Sequence, residues 1–376
     1  MMSEKNMEEE RDILSDMPEY VLLHIMKFMH TKDVVRTCVL SKRWNNLWKR
    51  TTTLSFMRKH FTCNDNYNEF VSRVLSGRDA SISLFDLHFG AHGSDPTLLN
   101  KVIQYAVLHN VEHMTITTSF DFTIIPNSFF PLIFSSHSLT FLKLSSGPTL
   151  ELPKSLVLPT LKCLHLTNVS FTSFENECAE PFSCCDMLNA LVLQDYSLRN
   201  DAKVLSISNS KLSCLKVDNT PRRVKGYTIP HKIVLSTPNL TSITIVIFTR
   251  LQVSSACNLS FLEEVNIDTH VDCSVIMNWL QVLSNVKKLT LSTRTLARMH
   301  EDLSSQMKIQ PPWFVRLESF KIKNDPSSKI SNEQVHRMEK RVAEYLLQNS
   351  PISIVPILRN LLPYSMHDYL GKYFIQ

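Results

Sequence analysis

The chain has 376 residues, with 40 Lys and Arg against 35 Asp and Glu and 43% hydrophobic residues. That apolar content supplies a core and excludes general disorder, and a net charge of +5 without a block of one sign excludes an arm that binds nucleic acid. Nine cysteines, an odd number, and a polar start MMSEKNMEEERD point to a reduced intracellular protein of nucleus or cytoplasm. No apolar run approaches the roughly 18 to 20 residues of a membrane span, so no membrane contact is expected.

Residues 1–11 are expected to be a disordered tail. From Asp12 to Arg50 the chain reads as three short helices. Ser15 or Asp16 is placed to cap the first, with Pro18 near its first position and Val21, Leu22, Ile25, Phe28 and Met29 at helical spacing. Thr31 is the expected cap of the second, which carries Val34, Val35, Cys38 and Val39, and Ser41 that of a third carrying Trp44, Leu47 and Trp48. So small a module buries little by itself and calls for a partner or a docked neighbour. Its bases, among them Lys27, Lys32, Arg36, Lys42 and Arg43, would also fit a helix-turn-helix, but the apolar content suits a protein interface better.

A template of apolar-x-x-apolar-x-apolar then recurs in ten units, from Ile82/Phe85/Leu87 through Leu161/Leu164/Leu166 to Leu317/Phe320/Ile322. From Val111 onward the units start 22 to 31 residues apart, mostly within the 20 to 29 of leucine-rich repeats. The last two apolar positions of each unit are expected on the inward face of a short strand. Each repeat then buries its leucines only against its neighbours. The ninth position, where such repeats often place a ladder-forming Asn, holds Val169, Thr220, Phe248 and His270, and an extra match at Ala202/Leu205/Ile207 lies ten residues before the next unit. An irregular array with little regular helix is expected.

Side chains between the buried positions should face outward on a concave surface: Thr115, Lys143, His165, Val192, Lys216, Thr244, Asn266, Thr290 and Lys321. From these we select His165, Lys216, Thr244, Asn266 and Lys321 as candidate contacts for a protein substrate. Their mixed polarity suits a protein better than a phosphate backbone. Glycine is scarce, 6 residues in all, and no G-x-S-x-G, H-E-x-x-H or C-x-x-C motif occurs. No catalytic residue, cofactor or metal is therefore expected; Cys178, Cys184 and Cys185 in CAEPFSCC lack zinc spacing, and the basic TPRRVKGY (220–227) reads as a solvated turn. The helix of residues 331–349, with Ser331 as cap and a stripe of Val335, Met338, Val342 and Leu346, is expected to close the end of the array.

The segments LSDMPEYVLLHIMKFM, TKDVVRTCVLSKRW and NNLWKR, within residues 12–56, resemble the F-box of plant F-box proteins with leucine-rich repeats, and EYLLQNSP near the end resembles that family's FBD segment. The resemblance implies an α+β protein: an N-terminal three-helix F-box over 12–52, an irregular leucine-rich-repeat solenoid over 53–325 with a parallel sheet on its concave face, and a C-terminal capping helix and tail over 326–376. It further implies a non-catalytic receptor of a Skp-cullin-F-box ubiquitin ligase. Met17, Pro18, Ile25, Val39 and Trp44 would contact a Skp-type adaptor and, through it, the cullin, while the repeats hold a protein substrate. The alternative is a repeat scaffold that recruits no ligase.

Overall fold

The computed structural model describes residues 13–91, 96–118, 130–134, 136–173, 177–199, 202–219, 232–304, 310–323 and 330–350. The chain divides into two compact units, residues 1–139 and 140–376, so that residues 12–52 share a unit with the strands that follow them.

In the first unit α1 (Ile13–Asp16), α2 (Glu19–Met26) and α3 (Thr31–Arg36) are followed by two 3₁₀ turns, Thr37–Val39 and Leu47–Arg50. Leu22, Met26, Val34, Trp44 and Leu47 form the core of this module. The local details differ from expectation. Pro18 itself is the N-cap of α2, with its carbonyl accepting from Val21 N–H at 3.0 Å, while Ser15 and Asp16 lie in α1. Thr31 caps nothing: His30 precedes α3, and Thr31 Oγ1 accepts from Ser55 N–H at 2.7 Å. The third helix is replaced by i→i+3 turns, Trp44 N–H to Ser41 and Leu47 N–H to Trp44, because Asn45 and Asn46 are poor helix formers and too few residues remain to sustain an α-helix.

Strands β1 (Thr53–Met57), β2 (Asp86–Ala91) and β3 (His113–Thr118) are parallel, with Leu54, Leu87 and Met114 in one buried row and Phe56, Phe89 and Ile116 in the next. The crossovers contain regular helices, α4 (Asn64–Gly77) and α5 (Pro96–Leu108), so the expectation of little helix fails here. Parallel neighbours require a crossover that returns along the sheet, and an amphipathic helix covers the sheet while doing so. Tyr67 of α4 is buried there, its hydroxyl donating toward Gly90 O at 3.2 Å, and burial pushes the phenol up. A short α6 (Phe130–Phe134) also belongs to this unit.

The second unit carries β4 (Phe141–Glu151), β5 (Cys163–Thr172), β6 (Cys178–Ala179), β7 (Ala190–Gln194), β8 (Ser197–Arg199), β9 (Val204–Ser208), β10 (Cys214–Asn219), β11 (Lys232–Ser236), β12 (Ser242–Ile247), β13 (Gln252–Ser255) and β14 (Glu264–Asp268). After these come α7 (Cys273–Val282), β15 (Lys288–Ser292), α8 (Thr293–Ser304), β16 (Ser319–Lys323) and α9 (Asn332–Leu347). Two parallel sheets result. One runs β4-β5-β7-β10-β12-β14-β15-β16, with β8 extending beside β5, and the other runs β13-β11-β9-β6. The template's fourth positions pair across the first sheet as Leu142, Leu164, Leu191, Leu215, Ile243, Val265, Leu289 and Phe320. Its sixth positions pair likewise from Leu144 to Ile322.

The second sheet accounts for the extra match at Ala202/Leu205/Ile207. Leu205 and Ile207 lie in β9 and Ala202 stands two residues before it, and all three side chains are buried. Between β5 and β14 the chain alternates between the sheets, so the return segments here are strands instead of helices. Amide and hydroxyl ladders do exist, one position earlier in the repeat than expected. Asn168 Nδ2 donates to Ser146 O and Asn219 Nδ2 to Tyr196 O, both at 3.1 Å, and Thr269 Oγ1 donates to Ile247 O. Each satisfies a carbonyl of the preceding coil that burial would otherwise orphan.

Toward the end, α7 and α8 are tied by Arg298, which lies 2.8 Å from Asp272 and 3.3 Å from Asp302; Asp302 also accepts from Cys273 N–H at 2.7 Å. Helix α9 packs on α8 and starts with a capping box between Ser331 and Gln334. Its buried stripe is Val342, Ala343, Leu346 and Leu347, with Val335 and Met338 half-buried. Leu191 is fully buried in the middle of a row, so Leu191→Ala should cost about 2–5 kcal/mol in urea denaturation, whereas Thr244→Ala on the other face of the same sheet should stay within about 0.5 kcal/mol.

Candidate docking surfaces

The N-terminal module separates inward from outward side chains on α2. Leu22 and Met26, four residues apart, share its buried face; Ile25 lies on the other at 36% exposure, and Phe28, in the turn just after α2, is 77% exposed. Val39, at the end of the first 3₁₀ turn, is 82% exposed, and Pro18 is exposed while Met17 is half-buried against the core. Among the candidate adaptor contacts Trp44 departs from expectation. At 4% exposure it fills the core beside Leu22, Met26, Val34 and Leu47 instead of standing outward. Tyr20, Phe28 and Leu40 are exposed apolar side chains that the sequence reading did not select. Helical spacing groups Phe28 with Val21, Leu22, Ile25 and Met29, and the packing of Leu22 and Met26 into the core leaves it outside.

This module is fixed to the strands beside it. Thr31 and His30 hold Ser55 of β1, with His30 Nδ1 3.0 Å from Ser55 Oγ, and Asp79 N–H donates to Lys49 O at 3.1 Å. Half-buried Trp48 lies against Gly77 at the end of α4, where an added Cβ would come within 2.9 Å of its ring. His60 sits beside the His30 ring at 4.6 Å; burial, reinforced by the neighbouring His30, Lys59 and Lys32, pushes its pKa below the ordinary value of 6.5. The attachment leaves Pro18, Ile25, Phe28, Val39 and Leu40 exposed.

The second surface is the face of the first sheet of residues 140–376 opposite its buried leucines. Lys143, His165, Val192, Lys216, Thr244, Asn266, Thr290 and Lys321 stand in register across eight neighbouring strands, so the five candidate contacts share one row. His165, Lys216, Thr244 and Asn266 are half-buried and Lys321 is exposed. Asn266 Nδ2 lies 3.5 Å from Thr244 Oγ1, and Lys216 Nζ 3.4 Å from Asp218. Missed were the adjoining rows, Phe141, Cys163, Ala190 and Cys214 on one side, Thr167, Gln194, Asp218 and Asp268 on the other; the two-residue strand period would have supplied both.

Of the remaining candidates, Cys185 is buried with its thiol pushed up to about 11, and Cys184 is exposed. Among the described residues no group of three or more His, Cys, Asp or Glu could hold a metal ion, and no helix is long and apolar enough to cross a membrane. TPRRVKGY lies outside the described residues.

A small helical module with apolar side chains turned outward, followed by parallel strands built on a leucine template, defines the class: the chain carries an F-box domain, the family model of that description matching residues 14–54. The chain is also 29% identical over 315 residues to a putative F-box/FBD/LRR-repeat protein of Arabidopsis thaliana, which covers 78% of this chain and 66% of the relative. A second F-box/FBD/LRR-repeat protein of that plant is 27% identical over 290 residues, 74% of this chain and 65% of the relative. An F-box/LRR-repeat protein of the same plant is 27% identical over 291 residues, 76% of this chain and 91% of the relative. The chain thus spans about two thirds of the length of the first two of these relatives.

The division of Trp44 from Val39 gives a direct check. Trp44→Ala should lower stability by about 3–5 kcal/mol in thermal or denaturant unfolding, and Val39→Asp should leave it within about 0.5 kcal/mol.

Proposed function

We propose that this chain is the substrate-receptor subunit of a Skp-cullin-F-box ubiquitin ligase. Its F-box docks a Skp-type adaptor and through it the cullin; its repeats bind the protein to be modified. The observation that carries this reading is the set of exposed apolar side chains on α2 and the following turn, inside the segment that matches the F-box model. A folded module has no internal use for Ile25, Phe28 and Val39 in water, and each gains roughly 1.5–3 kcal/mol when fully covered. Met17, Pro18, Ile25 and Val39 are the proposed adaptor contacts, joined by Phe28 and Leu40, with Trp44 holding their supports.

In this reading the domains are an F-box over 12–52, a repeat solenoid over 53–325 whose concave face is the polar face described above, and a cap over 326–376 in which α9 closes the array. Catalysis belongs to the enzyme the complex recruits. The chain raises the effective concentration of a substrate lysine near a ubiquitin-charged enzyme.

Retention of a purified Skp-type adaptor tests this. The unaltered chain should hold the adaptor, and Pro18→Ala combined with Ile25→Ala should weaken binding by about tenfold or more, as should Val39→Asp. An unaltered, folded chain that holds no adaptor would overturn the proposal in favour of a scaffold.

A further inference from the structure

We propose that the patch centred on His165 receives an aspartate or glutamate side chain from an extended segment of the bound partner protein. This rests on the reading of the open sheet face as the partner surface, and names the kind of residue it takes.

The face is not uniform along its row. Lys143, His165 and Lys216 stand on β4, β5 and β10, with Val192 of β7 between the last two, so three basic side chains fall within about 14 Å at the usual strand spacing. Beside them lie Phe141, in edge contact with the His165 ring at 5.4 Å, and Cys163, whose sulfur is 3.4 Å from His165 Nε2. Ala190, the smallest side chain of its row, separates Cys163 from Cys214 and leaves a shallow place beside Val192. From β12 onward the same rows hold Ser242, Thr244, Asn266, Glu264 and Lys288, and the last two pair at 3.1 Å. The cationic, apolar-floored part is therefore confined to β4–β10.

The balance of charge there favours an incoming acid. Asp218 is the carboxylate among these rows of β4–β10, and it is engaged with Lys216; among the described residues no carboxylate pairs with Lys143. Strand β7 brings no titratable group, and Cys163 and Cys214 are held neutral because burial pushes both thiols up. Burial and then the neighbouring Lys143 and Lys216 hold His165 below its ordinary value of 6.5, so the free face repels a proton at this position. A carboxylate placed between the lysines opposes their effect on His165, and where that attraction outweighs the added burial, binding takes up a proton. An apolar neighbour of that carboxylate would lie over Ala190 and Val192. A phosphate backbone would call for a longer run of Lys and Arg than these rows contain.

Random linear peptides displayed on phage, panned against the full chain at pH 6.5, provide the probe. Enriched sequences should gain Asp or Glu next to an apolar residue. A selected peptide should bind about tenfold or more weakly to Lys143→Glu combined with Lys216→Glu, and weaken in the same direction with the milder pair Lys143→Gln and Lys216→Gln, while Arg337→Glu on the exposed side of α9 leaves binding unchanged. Affinity should rise as pH falls from about 7.5 to 6, and His165→Gln should flatten that rise. No enrichment, enrichment without acidic residues, or undiminished binding to both lysine pairs would overturn the proposal. Adaptor retention measured on the same preparation reports on the F-box reading separately, so either can fail while the other stands.

Discussion

The parallel register of the strands carries the rest of this structure. Each coil of residues 140–376 adds one strand to the leucine-faced sheet, and a strand can bury its two apolar side chains only if it stands level with its neighbour. A one-residue slip of β10 would turn Leu215 and Val217 outward and Lys216 and Asp218 inward, leaving charge in the core. Because burial sets the register, it also sets which side chains line up on the opposite face. The candidate binding row follows from the positions of the leucines.

The same reasoning explains how the return segments differ. In residues 1–139 the crossovers hold α4 and α5, whereas between β5 and β14 they hold strands of a second sheet. The leucine face needs an apolar cover and accepts either kind. The short links between β7 and β10 leave little length for a helix, and Leu205 and Ile207 alternate at strand period. Side-chain ladders at Asn168, Asn219 and Thr269 then satisfy the turns that helices would have satisfied internally.

The N-terminal module works by the opposite logic, since its small core is complete without several of its apolar residues. Trp44, Leu22 and Met26 close the interior, and the bonds of Thr31 and His30 to Ser55 attach the module to β1. What remains outward is Ile25, Phe28, Val39 and Leu40, apolar groups that water does not favour. The side chains that close the core and the apolar ones left outward thus stand on separate faces of the module.

Much of this was legible without coordinates. The leucine template specified the buried rows and, through the strand period, the facing row from Lys143 to Lys321, because both depend on spacing that the chain carries in itself. What the sequence could not decide was any feature set by contact between distant segments: that Trp44 is interior and Phe28 exterior, that Leu205 and Ile207 belong to a second sheet, and that Thr31 serves Ser55 instead of capping its helix. Apolar periodicity marks a face for burial. Only the packing of another segment against it determines whether that burial happens within the chain or is left to a partner.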